Sequence, residues 1–391
     1  MKNIILTCTA ILLTTMLEAQ SFNIGQTTIT FIDPARNNRN IPTEVFYPAN
    51  TSGINVPVAE GNFPVLSFGH GFLMNYDAYS VYWDDLVPKG YIVALPKTET
   101  GFSPNHLDFA LDLAFVIQAL KAEGFNQASM FYQKVAEESS ILGHSMGGGC
   151  AYLGVASDTT ISSVVSFAAS VGTNPPALPV AAGLTLPSLI FSGQNDSVTP
   201  YYSNQLPLYQ ALLSDCKTYI SINGGAHCYF GNQNQICDLG ELLSGSNPTI
   251  SREEQHDVVF TFLSPWLDFI LKGDNNAFGL FEDSLYTSSR ITYLHDCLTT
   301  SAPATGLQNN VLVSPNPFSE LLSITIRDHQ LYKSMQISIF DCWGKVVFKQ
   351  NNLTQNEISI NLQSQPGGLY LVRLSNENGE FTRKVMKLGE R

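Results

Sequence analysis

The chain is short of positive charge and of tryptophan, and it lacks every common metal-ligand spacing. Twenty Lys and Arg stand against 33 Asp and Glu, for a formal net charge of −13 over 391 residues. A body this acidic is repelled by a phosphate backbone, which excludes nucleic acid as its partner. There is no H-E-x-x-H and no spaced Cys/His set, so neither a metal nor a cofactor is expected. Beyond the first residues, no apolar run is long enough to cross a bilayer.

What is present begins with a targeting pattern. Lys2 supplies a positive start, Ile4 to Leu17 is mostly apolar, and Leu17-Glu18-Ala19 ends on a small residue. Residues 1–19 therefore read as a signal peptide cleaved after Ala19. Export permits disulfides. Cys8 would leave with the signal, while Cys150, Cys216, Cys228, Cys237, Cys297 and Cys342 remain. Cys228 and Cys237 bracket a polar loop and pair as a clasp, and Cys216 with Cys297 is the next pairing, although sequence alone does not fix connectivity. Cys150, at the start of an apolar helix, reads as a small buried residue.

The charge is uneven. From Val311 onward nine Lys and Arg meet seven Asp and Glu, a balance of +2, which leaves −15 for the rest. Residues 299–310, TTSAPATGLQNN, are small, polar and Pro-containing and read as a linker. Residues 20–298 precede it. In them, TTITFID and TEVFYP are strands around a polar turn, and then FPVLSFG, YIVALP, SSILGHS, ISSVVSF, LPSLIFSG and KTYISI are strands that alternate with helical segments. Within HLDFALDLAFVIQALKAEG, Leu107, Leu111, Ala114, Ile117 and Leu120 line one helical face and Gly124 acts as a stop. TISREEQHDVVFTFLSPWLDFILKG closes the region as helix interrupted near Pro265. This alternation implies an α/β fold, a doubly wound and mostly parallel sheet covered on both faces. Its ligand site is expected at the carboxyl ends of the strands. Residues 311–391 change to short alternating strands (LLSITI, MQISIF, KVVFKQ, ISINL, GLYLVRL, FTRKVMKL) and read as a small all-β sandwich.

SSILGHSMGGGC, residues 139–150, carries the chemistry. Gly143-His144-Ser145-Met146-Gly147 fits G-x-S-x-G between a strand and a helix, where flanking glycines allow a tight turn that lifts the serine oxygen out. An unassisted hydroxyl is a poor nucleophile and needs a base. With this motif the acid and then the base follow the serine along the chain. His227, in NGGAHC after the final strand, is the candidate base. His256 sits in a helix beside charged residues and is expected to face solvent, and His295 is expected beyond the sheet. Asp196, in FSGQNDSVTP, follows a strand at the proper end and would fix the tautomer of His227. A turn aspartate bonded only to local amides is the competing reading of that residue. Asp215, Asp238 and Glu241 are competing acids. The amide of Met146 and that of Phe72, in Gly69-His70-Gly71-Phe72, can form an oxyanion hole, with Gly71 allowing close approach and His70 ordering the loop.

Those residues resemble the α/β-hydrolase superfamily, and within it the dienelactone-hydrolase-like and cutinase-like esterases that include bacterial polyester hydrolases. GHSMGGG, the HGF turn, LPSLIFSGQNDSVTP and GGAHCYF match in order, across roughly residues 25–272. Dienelactone hydrolases proper carry a cysteine nucleophile, and this chain has Ser145. The resemblance implies a secreted serine carboxylic-ester hydrolase in which Phe72, Met146 and Gly71 flank the bound ester. The substrate would be an ester, an insoluble polyester among the options. A lipase or short-chain esterase is the alternative, as is a non-catalytic binding protein on the same scaffold. The segment AASVGTNPPA lacks the tryptophan that polyester hydrolases often carry there. About fifteen residues join two strands between Ser170 and Asp196, a loop rather than a lid domain, which implies an open groove. Residues 311–391 resemble a type IX secretion sorting domain through VSPNPFSELLSI, QPGGLYLVRL and the terminal KVMKL. That implies the type IX machinery as a partner and a secreted or cell-surface location. The chain is expected to act as a monomer.

Overall fold

The computed structural model describes residues 21–297 and, within 311–387, all but 315–317, 327–334, 342–343, 352, 354 and 377–378. The signal-peptide reading of 1–19 and the linker reading of 299–310 lie outside the described residues, as do Cys8 and Cys342. The chain divides into two compact units, the first ending at Cys297.

The first unit is a ten-stranded mixed sheet. Its strands are β1 (Asn23–Asp33), β2 (Arg39–Ala49), β3 (Gly53–Ile54), β4 (Phe63–Gly69), β5 (Ile92–Pro96), β6 (Val135–His144), β7 (Ser163–Phe167), β8 (Ser188–Gly193), β9 (Cys216–Ile222) and β10 (Ile291–Cys297). Their spatial order is β10-β9-β8-β7-β6-β4-β5-β2-β1-β3. The run from β9 to β5 is parallel throughout, and β4 and β7 are buried at every residue, as a sheet covered on both faces requires. The β1–β2 ribbon joins β5 antiparallel, and β10 joins β9 antiparallel.

Among the described residues the α-helices are α1 (Ser80–Leu86), α2 (His106–Phe125), α3 (Met146–Ser157), α4 (Ala177–Ala181), α5 (Gln205–Ala211), α6 (Gln235–Ser244), α7 (Arg252–Lys272) and α8 (Asn275–Thr287). One core packs α2 to α5 against one face, and a second packs α1, α7 and α8 against the other. From β4 the chain winds first to β5 on one side and then to β6 on the other, so the winding reverses at β4. The crevice between the ends of β4 and β6 is where such sheets bind ligands.

Several sequence expectations change here. α2 buries Phe109, Leu113, Val116, Ile117 and Leu120, whereas Leu107 is exposed and Leu111 only half-buried. Ala114, Ile117 and Leu120 of the expected face are buried, and the helix is apolar over so much of its circumference that Phe109, Leu113 and Val116 beside them are buried as well. Its Asp112 is fully buried and answered by Arg36, from the polar turn between β1 and β2, and by Arg39, the first residue of β2. α7 runs unbroken through Pro265. Pro265 lies on the half-exposed side, where the carbonyl it leaves unpaired can reach water, while Val258, Phe262 and Trp266 hold the other side in the core. His295 is not beyond the sheet: it lies on edge strand β10, opposite Thr218. The residues between Cys228 and Cys237 are not all loop, because Cys237 sits in the first turn of α6, capped by Asn234. The segment between β7 and β8 contains the short helix α4.

The second unit holds two antiparallel sheets. One is β11 (Val311–Ser314), β12 (Leu321–Ile326) and β15 (Glu357–Asn361). The other is β13 (Gln336–Asp341), β14 (Val346–Gln350), β16 (Gly368–Asn376) and β17 (Gly379–Lys387). Leu322, Ile324 and Ile326 from the first share one core with Ile337, Ile339, Val372 and Leu374 from the second, at the two-residue period of half-buried strands. Among the described residues, no helix is long and apolar enough to cross a membrane.

Candidate active site

Ser145 stands between β6 and α3 with φ 55° and ψ −116°. A side chain rarely adopts that conformation, and the surroundings impose it. The Ser145 amide donates to the Phe167 carbonyl at 2.9 Å, and its carbonyl accepts from Ser170 at 2.9 Å. The turn closes only because Gly143 and Gly147 face each other and the β4 end: a Cβ on Gly147 would overlap the Gly69 carbonyl, and one on Gly143 would overlap the Gly147 carbonyl.

His227 follows β9. Its Nε2 lies 2.9 Å from Ser145 Oγ, and its Nδ1 lies 2.8 Å from Asp196 Oδ2. Asp196, beyond β8, is 5% exposed. Its Oδ1 accepts from the amides of Val198 and Thr199, both at 2.8 Å, and Oδ2 also accepts from the Thr199 hydroxyl at 2.9 Å. Asp196 thus bonds both to local amides, through Oδ1, and to His227, through Oδ2. Burial opposes its ionisation, but the adjoining His227 and the Thr199 donors hold its pKa below the ordinary carboxylate value.

The competing acids have other work. Asp215 is exposed. Asp238 pairs with Arg252 at 2.7 Å. Glu241 is buried and accepts the main-chain N–H of His227 at 2.5 Å and that of Cys228 at 3.2 Å. Burial raises its pKa, partly offset by those two amides. Cys228, Asp238 and Glu241 come within 4.8 Å of one another. All three are already engaged, since Cys228 is joined to Cys237. Cys216 is joined to Cys297, tying β9 to β10, and Cys150 is buried and free.

More side chains hold the histidine loop from α7. Gln255 donates to the Ala226 carbonyl and accepts from the Ala226 amide, each at 2.9 Å. Arg252 donates to the carbonyls of Cys228 and Gly231. His256, expected to face solvent, is half-buried and bonded to the Gly231 carbonyl at 3.2 Å. Glu241, Thr199, Gln255 and Arg252 gave no sign of these duties in the sequence, because nothing in their local pattern reports a partner so far along the chain.

The loop after β4 brings up the remaining candidates. Phe72 is 47% exposed, whereas Met146 is 5% exposed and packs with the core. Gly71 is buried and its amide donates to the Tyr79 hydroxyl at 2.8 Å. His70 is buried, with Nδ1 2.9 Å from the Gly71 carbonyl and Nε2 2.8 Å from the Thr98 carbonyl; the neutral ring donates to one of the two and so orders the loop. A hydroxyl, an imidazole and a buried carboxylate in line, beside the first turn of a helix, form an arrangement suited to acyl transfer.

The fold and this site define the chain as an α/β hydrolase. Residues 33–242 match the PET hydrolase-like family, a span that holds Ser145, Asp196 and His227, and the chain belongs to that family. Residues 312–388 match the secretion system C-terminal sorting domain. Over 140 residues the chain is 27% identical to "Chlorophyllase type 0" of Chenopodium album, a stretch covering 34% of this chain and 40% of that protein.

Proposed function

We propose that the protein is a secreted serine carboxylic-ester hydrolase whose open site takes bulky aromatic esters, aromatic polyesters among them. The observation that carries this reading is the unbroken line from Ser145 Oγ through His227 to Asp196, with both contacts under 3 Å. His227 Nε2 takes the Ser145 proton as the oxygen attacks the ester carbonyl, and returns it to the departing alcohol. Asp196, kept ionised, holds the proton on Nδ1 and stabilises the imidazolium. The amides of Phe72 and Met146 receive the oxyanion, the second of them at the N-terminus of α3. Water repeats the sequence on the acyl-enzyme and releases the acid. The exposed ring of Phe72 supports an aromatic acyl group, and the sorting-domain match supports release from the cell or display on its surface.

The test is a fluorophosphonate label on purified protein, followed by a panel of aryl esters, peptide amides and an amorphous aromatic-polyester film. Labelling at Ser145 with release of aromatic acid from the film supports the full reading. Labelling with turnover of short-chain esters alone reduces it to a general esterase, and no labelling makes the chain a binding protein on a hydrolase scaffold.

A further inference from the structure

Three loops must be held in register for this chemistry: the one carrying Phe72, the one carrying Ser145 and the one carrying His227. A single buried chain of hydrogen bonds joins all three. The Gly71 amide lies 2.8 Å from Tyr79 Oη, Tyr79 Oη lies 2.9 Å from His144 Nδ1, and His144 Nε2 lies 3.1 Å from the His227 carbonyl oxygen. Tyr79 and His144 are both fully buried.

The partners fix the direction of every proton. The His227 carbonyl can only accept, so His144 carries its ring proton on Nε2. Burial, reinforced by the adjoining His227, pushes the His144 pKa well below the ordinary value and keeps the ring neutral. Nδ1 is then a bare lone pair, and the Tyr79 hydroxyl donates to it. That leaves the Tyr79 oxygen to accept from Gly71. Met74 Sδ, 3.1 Å from the same hydroxyl, is a much weaker acceptor.

Each end of the chain is one peptide from a reacting group or belongs to it. Gly71 precedes Phe72, His144 precedes Ser145, and the accepting carbonyl is that of His227 itself. Resting on the ester-hydrolase reading above, we propose that Tyr79 and His144 are positioning residues that set the oxyanion loop against the serine and the histidine. An oxyanion donor must sit within a few tenths of an ångström of its place, so a loop free to drift loses rate more than binding.

Tyr79→Phe removes one oxygen and nothing else. It strands a buried Gly71 amide and a buried His144 lone pair. His144→Gln can keep the bond to the His227 carbonyl while losing the one to Tyr79. With p-nitrophenyl esters, each variant should lower kcat about 10- to 100-fold while KM changes less than about threefold. The rate constant for fluorophosphonate labelling should fall in parallel. The double variant should be little slower than the worse single one, because either change already breaks the chain. Kinetics of a Tyr79→Phe protein within twofold of the parent, losses that multiply in the double variant, or a fall in Tm with kcat kept would each overturn the proposal. A parent protein that neither turns over nor labels overturns the ester-hydrolase reading, and this one with it. An active parent beside an unaffected Tyr79→Phe overturns the positioning role alone.

Discussion

The serine turn and the histidine loop meet across 2.9 Å, yet they are built by opposite means. The serine turn is made of backbone. Gly143 and Gly147 let β6, α3 and the end of β4 approach until only hydrogen atoms fit between them, and Gly148 and Gly149 let α3 approach Ala169 and Ser170 beyond β7 in the same way. The histidine loop is made of side chains. Glu241, Arg252 and Gln255 reach its amides and carbonyls from α6 and α7, and the Cys228–Cys237 disulfide ties α6 to the residue after His227. A turn held by the absence of side chains has few ways to relax. A loop held by several independent anchors can lose one and degrade by steps.

The largest expected effect removes the meeting point itself. Ser145→Ala should leave a folded protein with p-nitrophenyl ester turnover down about 10⁴-fold or more, and His227→Ala should match it. Circular dichroism checks the fold and initial rates check the loss. If His256→Ala keeps turnover while His227→Ala abolishes it, the base assignment stands; if His256→Ala abolishes turnover and His227→Ala does not, it falls.

The next effect tests the difference in construction. Gly147→Ala places a methyl group on the Gly69 carbonyl, which is backbone and cannot yield, so the turn should fail outright: no soluble protein, or kcat reduced about 10³-fold or more. Glu241→Ala removes one anchor and leaves Gln255, Arg252 and the disulfide in place. It strands two buried amides, and its kcat should fall about 10- to 100-fold with the protein still folded. Equal damage from the two substitutions would mean that the histidine loop is no more forgiving than the serine turn.

The same contrast explains what could be read from the chain before its structure. G-x-S-x-G states its own geometry, because the glycines that shape the turn are its neighbours in sequence. Asp196 and His227 were legible by order, each standing just past an apolar strand. Glu241 drew notice only as a competing acid, since a carboxylate that serves the main chain of a residue 14 positions earlier leaves no local mark. β10 and α8 went unread for a related reason. β10 alternates exposed with partly buried residues as an edge strand does, and it is fixed by pairing with β9 and by Cys216–Cys297 rather than by an apolar run.

Acid should separate the two regions more gently. Burial lowers the pKa of His70, beneath the Phe72 loop, and of His144, in the serine turn, below the ordinary 6.5. In the unfolded chain both protonate near that ordinary value, so below it the unfolded state binds more protons than the folded one. Stability that is complete above about pH 6.5 is therefore lost as pH falls toward the folded values, at up to about 1.4 kcal/mol per pH unit for each proton withheld. Glu241, which holds the histidine loop from α6, works in the other direction: its raised pKa means that the folded state takes up that proton first, which offsets part of the loss. Calorimetry at pH 7.5 and 5.5 should show Tm falling by several degrees, and His144→Gln should shrink the fall. A Tm flat across that interval would mean that these rings are solvated or already charged.

The smallest effect concerns the two side chains that flank the proposed oxyanion site, and they too divide between the regions. Met146 belongs to the serine turn and is 5% exposed, with its side chain committed to the core. Phe72 is 47% exposed and free to meet an acyl group. Stacking of an aromatic ring on Phe72 contributes about 0.5–1.5 kcal/mol beyond burial. Phe72→Ala should then lower kcat/KM for benzoate and terephthalate esters about 2- to 12-fold more than for acetate or butyrate esters. Met146→Leu keeps both the amide and the packing volume, and should change that ratio by less than twofold. The backbone donor survives in each variant. A uniform loss across all acyl groups in Phe72→Ala would therefore point to a displaced loop, and the aromatic-polyester reading would give way to a short-chain esterase. A larger change from Met146→Leu than from Phe72→Ala would place the acyl group against the core side of the crevice, where the turn made of backbone would be setting specificity as well as rate.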